Sequence, residues 1–251
     1  DVGVRWILGL IDQSKQEDKI KGALLADDMG LGKTFMALSA IEHHYQDLNK
    51  IAETQKPTLI VAPLTLLENW KDEVTKTFKK SPFRDIVILQ SDGALRRFKS
   101  GGVEIRSNSN EDGEYEPRYS LNIGKEQPDR LDMPGRLIIT TYQTLRDYQF
   151  SLCLIDWGLV VFDEAQNIKN PNALQTRAAK GLKAEFKLIA TGTPVENSLA
   201  DFWCLMDTAC PEYLGGYQEF RSKYISPILQ AAGDEVEEVR SRVGRELRIQ
   251  V

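Results

Sequence analysis

Two stretches of this chain carry residue types that could do chemistry together. The first is Asp27-Asp28-Met29-Gly30-Leu31-Gly32-Lys33-Thr34. It ends as a phosphate-gripping loop ends, although the full pattern G-x-x-x-x-G-K-[ST] wants glycine where Asp27 stands. Gly30 and Gly32 let the backbone come close and aim N–H groups at phosphate oxygens. A helix starting there adds its partial positive charge. In such a loop Lys33 reaches the β- and γ-phosphates and Thr34 ligates Mg²⁺. Asp27 loses the first turn glycine but none of these groups; the plainer alternative is a glycine-rich turn capping a helix. The second stretch is Asp163-Glu164, which follows an apolar run. At a strand end Asp163 would hold Mg²⁺ through water, and Glu164 would orient or deprotonate an attacking water. Alone, such a pair is often no more than the start of a helix.

A third stretch, IATGTPVEN (189–197), also closes an apolar run. Thr191 and Thr193, around Gly192, could hydrogen-bond to Gln166 or Glu164 and sense nucleotide state. Taken alone, it reads as a tight turn broken by Pro194.

These residues need elements to position them. Short apolar runs occur at GALLAD (22–27), TLIVAP (58–63), DIVILQ (85–90), RLIITTY (136–142), GLVVFDEA (158–165) and KLIATGTP (187–194). Most are nearly continuous hydrophobes, as strands covered on both faces are. Leu66, Trp70, Val74 and Phe78 recur at helical spacing, as do Leu199, Phe202, Trp203 and Met206. Thr65 with Glu68 forms a capping-box pattern at the start of the first of these helices. On that apolar face Trp70 reads as core rather than as a stacking platform. Strand–helix alternation predicts an α/β fold, a mostly parallel sheet with helices on both sides.

Residues 91–135 break the rhythm. They are polar, rich in glycine and proline, and hold SNSNEDGE (107–114), which reads as an exposed tip. A short hairpin could form from GGVEIRS and RYSLNIG, and the whole reads as a mobile surface insertion, open to DNA or a protein partner. From about residue 234 the tail reads as a charged helix, either solvated or a connector between domains.

Composition narrows the class. The 251 residues are 41% hydrophobic and 27% charged, with net charge −5, so no global basic field advertises nucleic acid. Cys153, Cys204 and Cys210 show no ligand spacing, and a reducing, intracellular setting is expected: cytoplasmic in a bacterium, nuclear in a eukaryote. His43 and His44, adjacent in a helix, make a poor metal pair and read as surface residues. No apolar run reaches the roughly 18 residues of a membrane span, so no membrane is expected.

Taken in order, GALLADDMGLGKT, LIVAPLTLLENW, ITTYQTL, FDEAQNIKN and TGTPVENSLADFW resemble the Swi/Snf-type ATPases of helicase-like superfamily two. The resemblance covers nearly the whole chain except 91–135. Its family commonly places an acidic residue at the position of Asp27. It implies a RecA-like three-layer α/β/α lobe over residues 1–206, with residues 207–251 a helical extension leading toward a second lobe. GVRWIL (3–8) looks like the segment just after the family's adenine-reading glutamine, so the chain reads as a trimmed first lobe. ATP and Mg²⁺ are the implied cofactors; duplex DNA and a second RecA-like lobe are the implied partners. For DNA the matching segments are Pro63-Leu64-Thr65 and Thr140-Thr141-Tyr142, which can offer hydroxyls and helix starts to phosphates. Asn167 and Lys169 could approach DNA or brace their own loop. Many members carry histidine where Gln166 stands; glutamine keeps a donor and an acceptor but does not titrate. The rivals are a strand-separating or restriction- or defence-type motor, a nucleotide-dependent DNA-binding module without turnover, and a small-molecule P-loop kinase.

Overall fold

The computed structural model describes residues 2–17, 20–26, 30–46, 55–90, 94–100, 105–106, 117–118, 120–127, 129–193, 198–233 and 235–250. Helix α1 (Val2–Ser14) leads into strand β1 (Gly22–Leu25), and α2 (Lys33–Gln46) into β2 (Thr58–Val61). Then come α3 (Leu67–Thr77), β3 (Ile86–Leu89), the short α4 (Ala94–Phe98), and the two-residue strands β4 (Ile105–Arg106) and β5 (Pro117–Arg118). Strand β6 (Leu137–Thr140), α5 (Tyr142–Asp147), α6 (Gln149–Leu154), β7 (Asp156–Phe162), α7 (Leu174–Gly181) and β8 (Lys183–Ala190) complete the sheet. Helices α8 (Leu199–Ala209), α9 (Tyr217–Phe220), α10 (Ser226–Gln230) and α11 (Glu235–Gln250) follow.

All six expected apolar runs are strands of one sheet, in the order β1-β8-β7-β2-β6-β3. Every pairing in it is parallel. Successive side chains on a strand point to opposite faces, and the strands feed two cores accordingly. Leu59, Val61, Ile138, Val160 and Phe162 face one way, packing with α5, α6 and α7. Ile60, Ile139, Leu159, Val161 and Leu188 face the other, packing with α1, α2 and α3. Burial on both faces is why the strands read as unbroken hydrophobes.

The structure corrects four expectations. Thr65 caps nothing: residues 64–66 form a single 3-10 turn, and α3 starts at Leu67 with no side-chain cap. Pro63 favours that tight turn by fixing its own φ. His44 is buried, not at the surface. Its imidazole sits where a side chain at Gly158 would be, and Nε2 faces Glu185 across 3.7 Å. The flanks of the 91–135 segment are built into the fold. Leu95, Phe98, Leu121 and Leu131 join a core, and Arg136, itself buried, grips both carboxylate oxygens of Asp85 at 2.8 Å and the Arg130 carbonyl at 2.7 Å. The hairpin is present as β4 paired antiparallel with β5, while the 107–114 tip lies outside the described residues. Finally, the tail is no freely solvated helix. Val243 and Leu247 of α11 share a third core with Trp203, Met206 and Phe220. No helix among the described residues is long and apolar enough to cross a membrane.

Two positions not singled out by pattern hold the sheet to its helices. A Cβ on Gly22 would stand 2.3 Å from the Ala209 carbonyl oxygen and 2.4 Å from that of Lys187, so β1 and α8 approach through glycine alone. Gly22→Ala should therefore lower stability by about 1–3 kcal/mol, the range for overpacking; an unchanged urea midpoint would refute the close approach. Lys187, on β8, turns its amine inward to the Ala179 and Lys180 carbonyls at the end of α7. Burial pushes its pKa down to about 8. Between that value and its ordinary one near 10.4, the unfolded chain binds a proton that the folded chain does not, so stability rises with pH across this window. Relative to Lys187→Met, wild-type protein should gain up to about 3 kcal/mol between pH 8 and pH 10; parallel stability-versus-pH curves would sink this.

Candidate functional site

In a parallel sheet every strand ends on the same edge, and ligands bind outside that edge. Here β1, β8 and β7 run side by side, and their C-terminal ends lead to the three chemical stretches. Beyond β1, Gly30 and Gly32 hold φ of 85° and 81°, which glycine adopts without steric cost, and no atom lies within 4 Å of where their Cβ would be. The backbone there is open to a ligand, and Lys33 and Thr34 begin the 14-residue α2. Leu31 is exposed in the same turn. Asp27, Asp28 and Met29 lie outside the described residues.

Asp163 follows directly on β7 and is nearly buried, with a backbone N–H bonded to Val61 at 2.8 Å. Its Oδ2 accepts from the Trp70 indole at 2.8 Å and its Oδ1 from the Glu164 amide at 3.0 Å. Burial pushes the Asp163 carboxyl above its usual range; the Trp70 hydrogen bond opposes this, and Lys33 is near enough to lower it further. Asp163, Thr34 and Trp70 line one cavity of about 290 Å³. Hydroxyl and carboxylate thus share a cleft, and the charge of Lys33 reaches the same carboxylate.

Glu164 adopts the left-handed conformation, φ 51° and ψ 53°, a cost for any residue but glycine. Its carboxylate accepts from Gln166 Nε2 at 2.9 Å, and Gln166 Oε1 accepts from the buried Thr191 hydroxyl at 3.1 Å. Thr191 also binds β1 through its amide, to the Leu25 carbonyl at 3.1 Å, and accepts from the amide of Thr193 at 3.1 Å. Gly192 lies between them. The expected contact between the third stretch and the carboxylate loop is thus made through Gln166, as a chain of hydrogen bonds from β8 to Glu164.

The second half of the edge, β2, β6 and β3, opens on a groove of about 650 Å³ whose walls include Pro63, Leu64, Thr141, Gln143, Asn167 and Gln175. Thr65 is exposed and Lys169 partly so. Thr140 is fully buried, which corrects its reading as a side-chain contact to a duplex; Tyr142 lines the groove with its hydroxyl turned inward. Thr140 donates to the Leu89 carbonyl at 2.7 Å, and the Tyr142 hydroxyl donates to the Asp163 carbonyl at 2.6 Å. Burial, with the Asp163 and Glu164 charges, raises the Tyr142 pKa well above its usual value, so the phenol stays a donor. Thr141 caps α5 through the Thr144 amide at 3.0 Å.

A sequence model of the SNF2-related domain matches residues 1–247. The chain belongs to the SNF2-related domain family. It is 39% identical over 245 residues to the Zorya protein ZorD of Escherichia coli O139:H28, covering 95% of this chain and 21% of that protein. It is 30% identical over 232 residues to the DNA excision repair protein CSB of Oryza sativa subsp. japonica, covering 90% and 18%. Among solved structures, the Sulfolobus solfataricus SWI2/SNF2 ATPase core in complex with dsDNA matches at a TM-score of 0.62 and 28% identity, covering 97% of this chain and 42% of that one. This SNF2-related domain thus has the RecA-like fold of that core, and spans about a fifth of the length of the curated relatives it matches.

Two site residues escaped the pattern of the sequence. Trp70 reads as core because it lies on the apolar helix face, and Tyr142 reads as a surface contact because it follows a strand end. A buried indole or phenol needs a hydrogen-bond partner, which was the available signal, but periodicity cannot name that partner. A double-mutant cycle of Trp70→Phe with Asp163→Ala should show a coupling of about 1–3 kcal/mol, as for a hydrogen bond to a charged group. Additive effects on unfolding would mean the indole does not hold the carboxylate.

Proposed function

We propose that this domain is the ATP-binding first lobe of a DNA-dependent ATPase that couples hydrolysis to movement on, or remodelling of, duplex DNA complexes. The observation that carries this reading is the shared cavity of Thr34 and Asp163, beyond the ends of β1 and β7, with the charge of Lys33 acting on Asp163 and Glu164 next in the chain. Likeness to an ATPase core solved with double-stranded DNA supports the choice of duplex over a small-molecule substrate.

The residues fit ATP and Mg²⁺. Among the described residues no cluster of three or more His, Cys, Asp or Glu could hold a metal by itself. A hydroxyl and one carboxylate suit Mg²⁺, which keeps several waters and takes its remaining ligands from phosphates. Thr34 and Asp163 would hold it, and when bound it neutralises charge on the β- and γ-phosphates. The open backbone at Gly30 and Gly32 receives the phosphates, and Lys33 adds a cation to them. Glu164, kept in place by Gln166, aligns the attacking water and takes its proton at a carboxylate oxygen. Trp70 fixes the Asp163 oxygen that would otherwise turn toward solvent.

The groove wall of Pro63, Leu64, Thr141 and Gln143, with Thr65 and Lys169 nearby, is suited to a phosphate backbone. Such contacts position a duplex without reading its sequence, which suits a motor that works on any duplex. A second RecA-like lobe would close the nucleotide cleft and supply an arginine to the transferring phosphate.

In the intact protein Glu164→Gln should keep nucleotide binding and lower DNA-dependent ATP turnover by about 100-fold or more, the usual worth of a general base. Turnover near wild type would favour a binding module instead. The isolated domain should bind ATP and hydrolyse it slowly, because an arginine finger from a second lobe contributes on the order of 10³ to 10⁵ in rate. Brisk DNA-stimulated hydrolysis by the fragment would remove the need for that lobe.

A further inference from the structure

The two acids of the site are held from two directions. The Glu164 carboxylate is held from the β8 side by Gln166 and Thr191. The backbone carrying both acids is held from the groove side. The Tyr142 hydroxyl donates to the Asp163 carbonyl at 2.6 Å, and the Asn167 side-chain amide donates to the Glu164 carbonyl at 2.8 Å. Asn167 in turn is held at its own carbonyl by the side chain of Gln175. Tyr142, Asn167 and Gln175 are all wall residues of the large groove. None of the three lines the cavity shared by Thr34 and Asp163, whose other walls come from α3 and the turn before it.

The segment these bonds grip is also the one with an imposed conformation. Glu164 sits in the left-handed region, which a non-glycine residue holds only when its surroundings enforce it. A small change in the enforcing bonds is therefore enough to reposition its carboxylate. Asn167 is exposed on the groove, and the Tyr142 ring is fixed against Phe162, the residue just before Asp163, in a near-parallel stack of 6.4 Å and 20°. A ligand pressing on the groove wall acts on the Asp163–Glu164 backbone through one rigid aromatic and one adjustable amide.

We propose that Tyr142 and Asn167 are the positioning residues through which duplex DNA in the groove sets the Asp163–Glu164 turn, and so switches on hydrolysis. The proposal rests on the groove being the duplex site. The bonds carry occupancy of the groove, not base sequence, to the two acids, so the response is to any duplex. Thr191 and Gln166 serve the opposite direction, linking nucleotide state to β8.

The test uses the full-length protein, a blunt DNA duplex of arbitrary sequence, and the variants Tyr142→Phe and Asn167→Ala. ATP turnover is measured without duplex and at saturating duplex, and duplex affinity separately by fluorescence anisotropy. With duplex kept saturating for each variant by its own measured affinity, the ratio of stimulated to unstimulated turnover should fall by about five-fold or more in each, the scale of an ordinary coupling between sites. Equal loss with and without DNA would reduce the two residues to structural supports and overturn the proposal, as would an unchanged ratio. Asn167 is exposed, so its variant reads out even if removing the Tyr142 hydroxyl impairs folding. Wild-type protein that binds no duplex would overturn the groove assignment itself, a result seen before any variant is made.

Discussion

The structure depends on one buried carboxylate. Asp163 directly follows β7, which lies between the strand that leads to the phosphate-loop residues and those that form the groove. Burying a charge is costly unless it is paired and hydrogen-bonded. Here the compensation comes from three parts of the chain: the Trp70 indole on α3, the Glu164 amide in the following turn, and the positive charge of Lys33 at the start of α2. Each hydrogen bond to a charged group is worth about 1.5–3 kcal/mol, and losing one leaves the group buried and unsatisfied. Asp163 therefore fixes where α2, α3 and β7 stand relative to one another as much as it serves chemistry.

This constraint explains why the sheet order matters more than the number of strands. The chain lays β1 at one edge, crosses to β2 and β3, then returns through β6, β7 and β8 to pair β8 with β1. Sequence neighbours such as β2 and β3 are separated in space, and distant stretches such as 22–25 and 187–191 become adjacent. Thr191 shows the result: its amide bonds to Leu25 of β1 and its hydroxyl to Gln166 beyond β7. A residue beside the end of β1 is thereby tied through Gln166 to Glu164.

The strands were legible in the sequence, and the residues proposed for the nucleotide stood out in it, because both patterns are local. A strand buried on two faces is a run of hydrophobes, and a loop that cradles phosphate needs glycine, lysine and a hydroxyl in fixed order. What was not legible depends on contacts between distant segments. Thr65 and Glu68 match a capping box, yet Pro63 favours a 3-10 turn that uses those residues differently. His44 looked like a surface residue until Gly158, more than a hundred positions away, made room for it. Residues 91–135 looked mobile because they are polar on average, and averaging hid Leu95, Phe98, Leu121 and Leu131, the few that reach the core. Thr140 and Tyr142 stand at a strand end as surface contacts would, but at the end of a strand paired on both sides a hydroxyl can still point inward.

The left-handed Glu164 joins these observations. A turn directly after a central strand has little room, and the chain must leave β7 at once to place Ala165 and Ile168 in the core. The conformation that does so costs on the order of 1–3 kcal/mol for a residue other than glycine, and glycine here would remove the carboxylate. The cost is met by hydrogen bonds to the turn: Tyr142 and Asn167 on its carbonyls, the Asp163 carboxylate on its amide, and Gln166 on its side chain. A turn strained in itself depends on the outside bonds that hold it, and the proposed coupling between the two halves of the sheet edge would act through those bonds.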